Sequence, residues 1–258
     1  VSSQKDQMRG LFITGTDTDV GKTFWAAAIL RSLCQQGHSV GAYKPVCSGA
    51  VDSSPAEAPS WSDIEMLHNA CTGKFPRELI CPQQFQAPLA PPVAARLENR
   101  SVDEALLQGG LLNWAHRVDG IVIEGVGGWK SPISDSLTVE HFAKWAGFPV
   151  LVIAAQKLGA INQTLLTVEA IQRSGLQVAG VILNEVSQPE NNSTAKNQLI
   201  SNAEEIRKFS EIPFLALAEF NHEAELRCDQ TLASIDWWET MSPSMTDLFS
   251  TDKREPCH

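Results

Sequence analysis

The chain has 258 residues, 43% of them hydrophobic and 19% charged, which is ordinary for a globular protein with a sizeable core and excludes disorder throughout. The 30 Asp and Glu against 20 Lys and Arg leave a net charge of −10 with no dense basic run. That excludes a nonspecific nucleic-acid binder, so any anionic ligand must be held by a local site. The six cysteines form neither a CxxC pair nor a His-flanked zinc pattern, residues 1–9 carry no signal-peptide core, and no stretch approaches 18 apolar residues. The expectation is a cytoplasmic protein with reduced thiols and no membrane partner.

In chain order, residues 10–14 form a short apolar run that ends in a glycine turn. A helical pattern follows over 22–36, with Phe24, Ala27, Ala28, Leu30 and Leu33 on one side and Gly37 as its stop. Residues 39–43 read as a second strand, and 47–59, rich in Ser, Pro, Ala and Gly, as a flexible loop. A helix starts near 64–70; Pro88, Pro91 and Pro92 lead into 93–97, and 102–115 is a further helix. Residues 120–123, 149–154 and 178–183 are continuous apolar runs, the pattern of parallel strands covered on both faces. Helical patterns at about 138–146 and 161–174 separate them, and a helix near 197–209 precedes a strand at 212–217. Strand and helix in turn predict an α/β three-layer sandwich with a mostly parallel central sheet and right-handed crossovers. The domain is expected to span 9–240, with 241–258 as a loosely ordered tail.

The chemistry concentrates first in Gly15-Thr16-Asp17-Thr18-Asp19-Val20-Gly21-Lys22-Thr23. Its end fits the phosphate-binding loop G-x-x-x-x-G-K-[ST], although the first position is Thr16 and the glycine stands one residue earlier. A strand delivers the chain into a tight turn, and the helix from Lys22 points its positive end at the anion. Lys22 can reach the β- and γ-phosphates of a nucleotide, and the Thr23 hydroxyl can join a Mg²⁺ shell. The bland reading, a turn before a helix, does not account for the flanking strand and amphipathic helix. Carboxylates at 17 and 19 are costly in a polyphosphate loop unless a cation or an amine sits against them. Asp19 points to a ligand amine near the γ-phosphate, while Asp17 serves equally well as a cap of the following helix.

Lys44 ends the second strand beside the phosphate loop, where ligands of open α/β sheets gather, or is a surface lysine. Glu124 closes an apolar strand and is followed by Gly125, Gly127 and Gly128; a carboxylate there can ligate Mg²⁺. Asp63 is a natural additional ligand, but spacing does not separate it from Asp52 or Glu65. With no supported Ser-His-Asp or Cys-His arrangement, the chemistry reads as positioning and charge neutralisation by two lysines and Mg²⁺.

In their order along the chain, several motifs together resemble the dethiobiotin synthetase family. They are the loop 15–23, Tyr43-Lys44-Pro45-Val46 with Ser48 and Gly49, Ser62-Asp63, residues 87–92, Glu124 to Trp129 with Pro132, residues 157–162, and Asn184. The resemblance covers roughly 9–220 and implies ATP as the nucleotide, with Thr18, Asp19, Val20, Gly21, Lys22 and Thr23 around it and Lys22 and Lys44 on its γ-phosphate. It further implies Mg²⁺ on Thr23, Asp63 and Glu124, adenine contacts from Asn184 and the loop after Pro213, and the diamine near Asp19 and Ser48. Gly159, Ala160 and Asn162 would receive the substrate carboxylate near a homodimer interface. The implied reaction joins CO₂ to 7,8-diaminopelargonic acid through a carbamate and a carbamic-phosphoric anhydride, and closes the ureido ring. Val126, Lys130 and Glu185 depart from the family pattern, as do the 50–60 loop and the chain beyond about 225. A partitioning ATPase would instead carry lysine at position 17, and an amidotransferase of the cobyrinic acid diamide synthase kind would add a Cys-His glutaminase.

Overall fold

The structure is a computed structural model, and it describes residues 8–51, 58–186, 193–218 and 232–244. Apolar β-branched runs make the strands: β1 (Arg9–Gly15), β2 (Val40–Tyr43), β5 (Gly120–Gly128), β6 (Val150–Ala155), β7 (Val178–Asn184) and β8 (Leu215–Ala218). They pair in parallel in the order β2-β5-β1-β6-β7-β8. β1, β2, β6 and β7 are buried along nearly their whole length, as strands covered on both faces must be. The expected α/β architecture with a parallel central sheet is therefore what the chain adopts.

The covering helices follow the apolar periodicity closely. α1 (Lys22–Gln35) packs on β1, β2 and β5, and α6 (Val139–Ala146) on β5. α7 (Ala160–Arg173) lies on β6 and β7, and α8 (Ser193–Phe209) on β8 and α7. Thr138 and His141 form a reciprocal capping box that satisfies the first turn of α6. α2 (Ser62–Ala70) packs on α1, and the shorter α3 (Arg77–Ile80), α4 (Pro91–Leu97) and α5 (Glu104–Leu112) complete the layer beside β2.

Three features depart from the pattern-based expectation. The loop expected over 47–59 begins with a two-residue strand, β3 (Cys47–Ser48), paired in parallel with β4 (Gln84–Phe85). Two-residue strands leave no periodic trace in a sequence, so this pairing is decided by tertiary packing alone. β5 runs past the apolar segment through its glycines to Gly128, which pairs with Gly15 across a register shift. Finally, 241–244 do not hang free: β9 (Ser242–Pro243) pairs antiparallel with Gly10 and Arg9 of β1, preceded by a short α9 (Trp237–Thr240). Trp237 and Met241 are fully buried, and Arg9 donates to the Met241 carbonyl at 2.8 and 3.0 Å. The remainder of the expected tail, 245–258, lies outside the described residues.

Aromatic rings are seated on strand glycines. A Cβ at Gly10 would lie 2.5 Å from Phe148, one at Gly41 2.3 Å from Trp114, and one at Gly180 2.4 Å from Phe214. Trp114 cannot retreat, because it is fully buried, donates to the Leu79 carbonyl at 3.2 Å, and meets Phe75 edge-on at 4.7 Å. Gly41→Ala should therefore cost about 1–3 kcal/mol by overpacking. Urea unfolding would show it as a lower midpoint at unchanged slope; an unshifted midpoint would mean that the Trp114 seat is loose.

Candidate active site

The 15–23 loop leaves β1 at the carboxyl edge of the sheet and turns directly into α1. At Gly15 a Cβ would meet the Asp17 carbonyl at 2.6 Å and Val20 at 2.8 Å, so the loop closes on itself only with glycine there. Asp19 sits in the left-handed region at φ 56°, and Gly21 at φ 95°. Backbone strain in a non-glycine residue is the kind of feature that collects at ligand-binding loops. α1 starts after Gly21 with no side-chain cap and no acidic residue in its first turn. Its leading N–H groups and positive dipole end are thus directed at the loop's concavity.

The loop's own contacts settle the Asp17 alternatives. Asp17 does not cap α1: its carboxylate accepts from the Thr18 N–H at 2.8 Å and faces Lys157 at 3.5 Å, while its carbonyl accepts from Lys22 Nζ at 2.8 Å. Burial pushes the Lys22 ammonium below the ordinary lysine pKa, and the pull of Glu124 offsets only part of that.

Lys44, Asp63, Glu124 and Thr23 come together beside this loop. β2 and β5 are neighbours with Tyr43 opposite Ile123, so the next residues, Lys44 and Glu124, emerge side by side. Lys44 Nζ donates to Glu124 Oε1 at 2.7 Å and to Asp63 Oδ2 at 2.5 Å, and the Thr23 hydroxyl donates to Glu124 Oε1 at 2.8 Å. Lys44 and Glu124 are 4% and 1% exposed, so the surface-lysine alternative is ruled out. Burial disfavours the Lys44 ammonium, yet Glu124 and Asp63 outweigh it and hold its pKa well above the usual lysine value. Glu124 Oε2 is buried and has no hydrogen-bond partner among the described residues, an acceptor with its capacity unused. Two carboxylates and a hydroxyl make an all-oxygen donor set suited to a hard cation. Among the described residues no group of three or more His, Cys, Asp or Glu converges as metal ligands, here or elsewhere, so a cation at this site would rely on two carboxylates and a hydroxyl.

These groups open into one cavity of about 830 Å³. Thr18, Asp19, Gly21, Lys22, Thr23, Lys44, Ser48, Asp63 and Glu124 supply its polar side, and Phe24, Trp61, Leu89, Val126 and Pro132 its apolar side. Ser48 donates its hydroxyl to the Leu89 carbonyl at 2.6 Å. Val20 is buried beneath the loop, and its carbonyl accepts from Asn184 Nδ2 at 2.8 Å. Asn184 thus braces the loop from β7, and its Oδ1 is buried with no partner among the described residues.

Other expected residues lie elsewhere. Pro213 precedes β8, whose Leu215 pairs with Val181 and whose Ala218 pairs with Asn184, so Pro213 lies at the opposite end of the strand from the site. That placement does not support the adenine role inferred for Pro213, and the chain from 219 to 231 lies outside the described residues. Gly159, Ala160 and Asn162 begin α7 after β6, on the other side of β1 from β5 and β2, and none lines the cavity. Sequence reasoning missed the apolar wall, above all Trp61 and Phe24, because isolated aromatics outside a periodic run carry no positional signal.

A family model described as an AAA domain matches residues 9–226. The ATP-dependent dethiobiotin synthetase BioD of Anaeromyxobacter sp. (strain Fw109-5) is 38% identical over 84% of this chain and 93% of its own length. The chain belongs to the ATP-dependent dethiobiotin synthetase family. Its counterpart in Anaeromyxobacter dehalogenans (strain 2CP-C) is 43% identical over 74% of this chain and 82% of that one. That of Vibrio vulnificus (strain YJ016) is 33% identical over 82% and 92%.

Membership in this family leaves the cluster's own energetics to be measured. Lys44→Met would strand two carboxylates, one fully buried, and should cost about 3–5 kcal/mol. Equilibrium unfolding in urea measures this; a loss under about 1 kcal/mol would show that the cluster is not electrostatically closed by Lys44.

Proposed function

We propose that this protein is an ATP-dependent dethiobiotin synthetase, joining CO₂ to 7,8-diaminopelargonic acid and closing the ureido ring as ATP becomes ADP and phosphate. The observation that carries the reading is the convergence of the phosphate loop with Lys44, Asp63, Glu124 and Thr23 on a single cavity that apolar side chains also line. Such a cavity suits a ligand that is charged at its reacting end and aliphatic behind it.

In this reading the N–H groups from Thr18 to Thr23, with Asp19, Val20 and Gly21 between, cradle the triphosphate, and Asn184 contributes to the adenine side. CO₂ adds to one substrate amine, giving a carbamate and releasing a proton. The carbamate oxygen then attacks the γ-phosphorus in line and expels ADP. The second amine attacks the carbamoyl carbon of the mixed anhydride and expels phosphate. Lys22 and Lys44 stabilise the charge spread over the transferring phosphoryl oxygens. Asp19 and Ser48 orient the diamine, the carboxylate by its charge and the hydroxyl by accepting an N–H. Thr23, Asp63 and Glu124 hold Mg²⁺, supported by the Glu124 Oε2 that has no partner among the described residues and by the all-oxygen donor set. Bound there, the cation neutralises charge on the β- and γ-phosphoryl oxygens.

The reading includes a cytoplasmic homodimer in which Gly159, Ala160 and Asn162 of one subunit meet the substrate carboxylate at the other's site. Its support is the position of these residues outside their own cavity, next to the exposed Leu158 and Leu166. The free Cys34, Cys47, Cys71 and Cys81 agree with a reducing compartment. Among the described residues no helix is long and apolar enough to cross a membrane.

The decisive experiment combines the protein with ATP, Mg²⁺, bicarbonate and 7,8-diaminopelargonic acid and detects dethiobiotin by mass spectrometry. One phosphate should be released per dethiobiotin, and release should depend on the diamine; diamine-independent phosphate without product would overturn the assignment. Lys22→Ala and Glu124→Ala should each lower turnover by about 10²-fold or more, with the circular dichroism spectrum retained. Near wild-type turnover in either would show that the phosphate or metal site is misplaced.

A further inference from the structure

We propose that Trp61 is a positioning residue: its indole N–H holds the start of α2 so that Asp63 sits on Lys44 in the geometry that cation-assisted nucleotide binding needs. The proposal rests on the roles given above to Asp63 and Lys44. α2 begins without a side-chain cap. An uncapped first turn is free to fray, and its second residue is Asp63. Alternate side chains tie this turn down instead. Trp61 donates Nε1–H to the Phe85 carbonyl at 3.0 Å, Asp63 accepts from Lys44, and Glu65 takes Arg77 through two contacts of 2.6 Å. The Glu65–Arg77 pair is bidentate but solvent-exposed, and it holds Glu65 without touching Lys44. Asp63 cannot be its own anchor, since its placement is the quantity to be set. Beside the Val51–Ser60 bridge and the buried Ile64, the Trp61 indole is the side-chain bond that ties the entry of this turn to β4.

Its anchor point is informative. Phe85 belongs to β4, which pairs with β3, and β3 follows Lys44 after only two intervening residues. The indole therefore references the Asp63 turn to the same ribbon that continues from the Lys44 strand. A hydrogen bond of ordinary strength here sets the separation of the two charged groups. The Phe85 carbonyl also accepts from Gly49 N–H at 3.1 Å, so it keeps a partner when the indole donor is lost. Loss of that donor should consequently cost little global stability while releasing the Asp63 turn. The ring packs on Cys47, Ile64 and Cys81 and forms part of the cavity wall, so Phe at 61 retains most of the packing and lacks only the donor.

The test is calorimetric titration of the full chain with ADP across a range of Mg²⁺ concentrations, for wild type, Trp61→Phe, Asp63→Asn and the double variant. Trp61→Phe should weaken the Mg²⁺-dependent gain in ADP affinity about two- to tenfold, the worth of one neutral hydrogen bond. The urea midpoint should stay at the wild-type value. The double variant should be no weaker than Asp63→Asn alone, because both act through one contact. An unchanged Mg²⁺ dependence in Trp61→Phe, beside a clear loss in Asp63→Asn, overturns the inference and leaves the metal reading standing; additive losses in the double variant do the same. No loss in Asp63→Asn removes the metal reading and this inference with it. If Trp61→Phe also lowers the urea midpoint, Trp61→His, which keeps a ring N–H donor, must restore the Mg²⁺ dependence, and its failure to do so overturns the proposal.

Discussion

The site is organised around one buried ammonium, Lys44, held between Glu124 and Asp63. A charge this deep is tolerable only if its partners are at hydrogen-bond distance and themselves supported. That constraint reaches outward through the fold. Glu124 must leave β5 beside the strand that delivers Lys44, Asp63 must arrive from α2, and Thr23 must turn its hydroxyl from the first turn of α1 to Glu124 Oε1. Two separate segments are thus pinned to one Nζ atom, and a third, the end of the phosphate loop at Thr23, is pinned to the same Glu124 oxygen.

The loop uses a different economy. Its glycines allow the chain to fold onto itself, and Asp19 accepts a left-handed backbone that most side chains avoid. Acidic residues in a loop built for anions look contradictory until their partners are seen. Asp17 faces Lys157 from the segment after β6, while Asp19 lines the cavity beside the cationic pair. Charges of both signs thus line one cavity within a chain of net charge −10, which fits a site where a phosphate and an amine meet. The apolar side chains of the same cavity leave room for aliphatic parts of a ligand.

Away from the site, packing is set by large rings on small residues. Gly10, Gly41 and Gly180 each leave a gap in a strand that Phe148, Trp114 and Phe214 fill. The end of the described chain behaves likewise: Trp237 and Met241 are buried, and Trp238 stacks on His38 with centroids 4.1 Å apart. Residues 237–243 lie beyond the 226 at which the family match ends, yet they close the amino end of β1 while the phosphate loop occupies its carboxyl end.

Much of this was legible in one dimension. Continuous apolar runs marked the parallel strands because strands covered on both faces cannot alternate, and 3.6-residue periodicity marked α1, α6 and α7. Gly21-Lys22-Thr23 after an apolar run announced the phosphate loop, since that order of strand, glycine turn and helix is itself the physical device. Glu124 and Lys44 were recognisable as strand-end residues, but whether they touched depended on β2 and β5 being neighbours. Asp63 stood level with Glu65 until α2 turned the one to Lys44 and the other to Arg77; Asp52 lies outside the described residues. Pro213 stands before β8, at the amino end of a strand whose carboxyl end is level with Asn184, a placement that depends on where β8 begins. Trp61 and the short β3–β4 ribbon carried no periodic signal at all. The sequence by itself determined the architecture and the presence of a phosphate loop, because both follow from local pattern. Only the tertiary structure decided which distant charges share one hydrogen-bonded cluster, because that depends on strand order and helix placement across some hundred residues of chain.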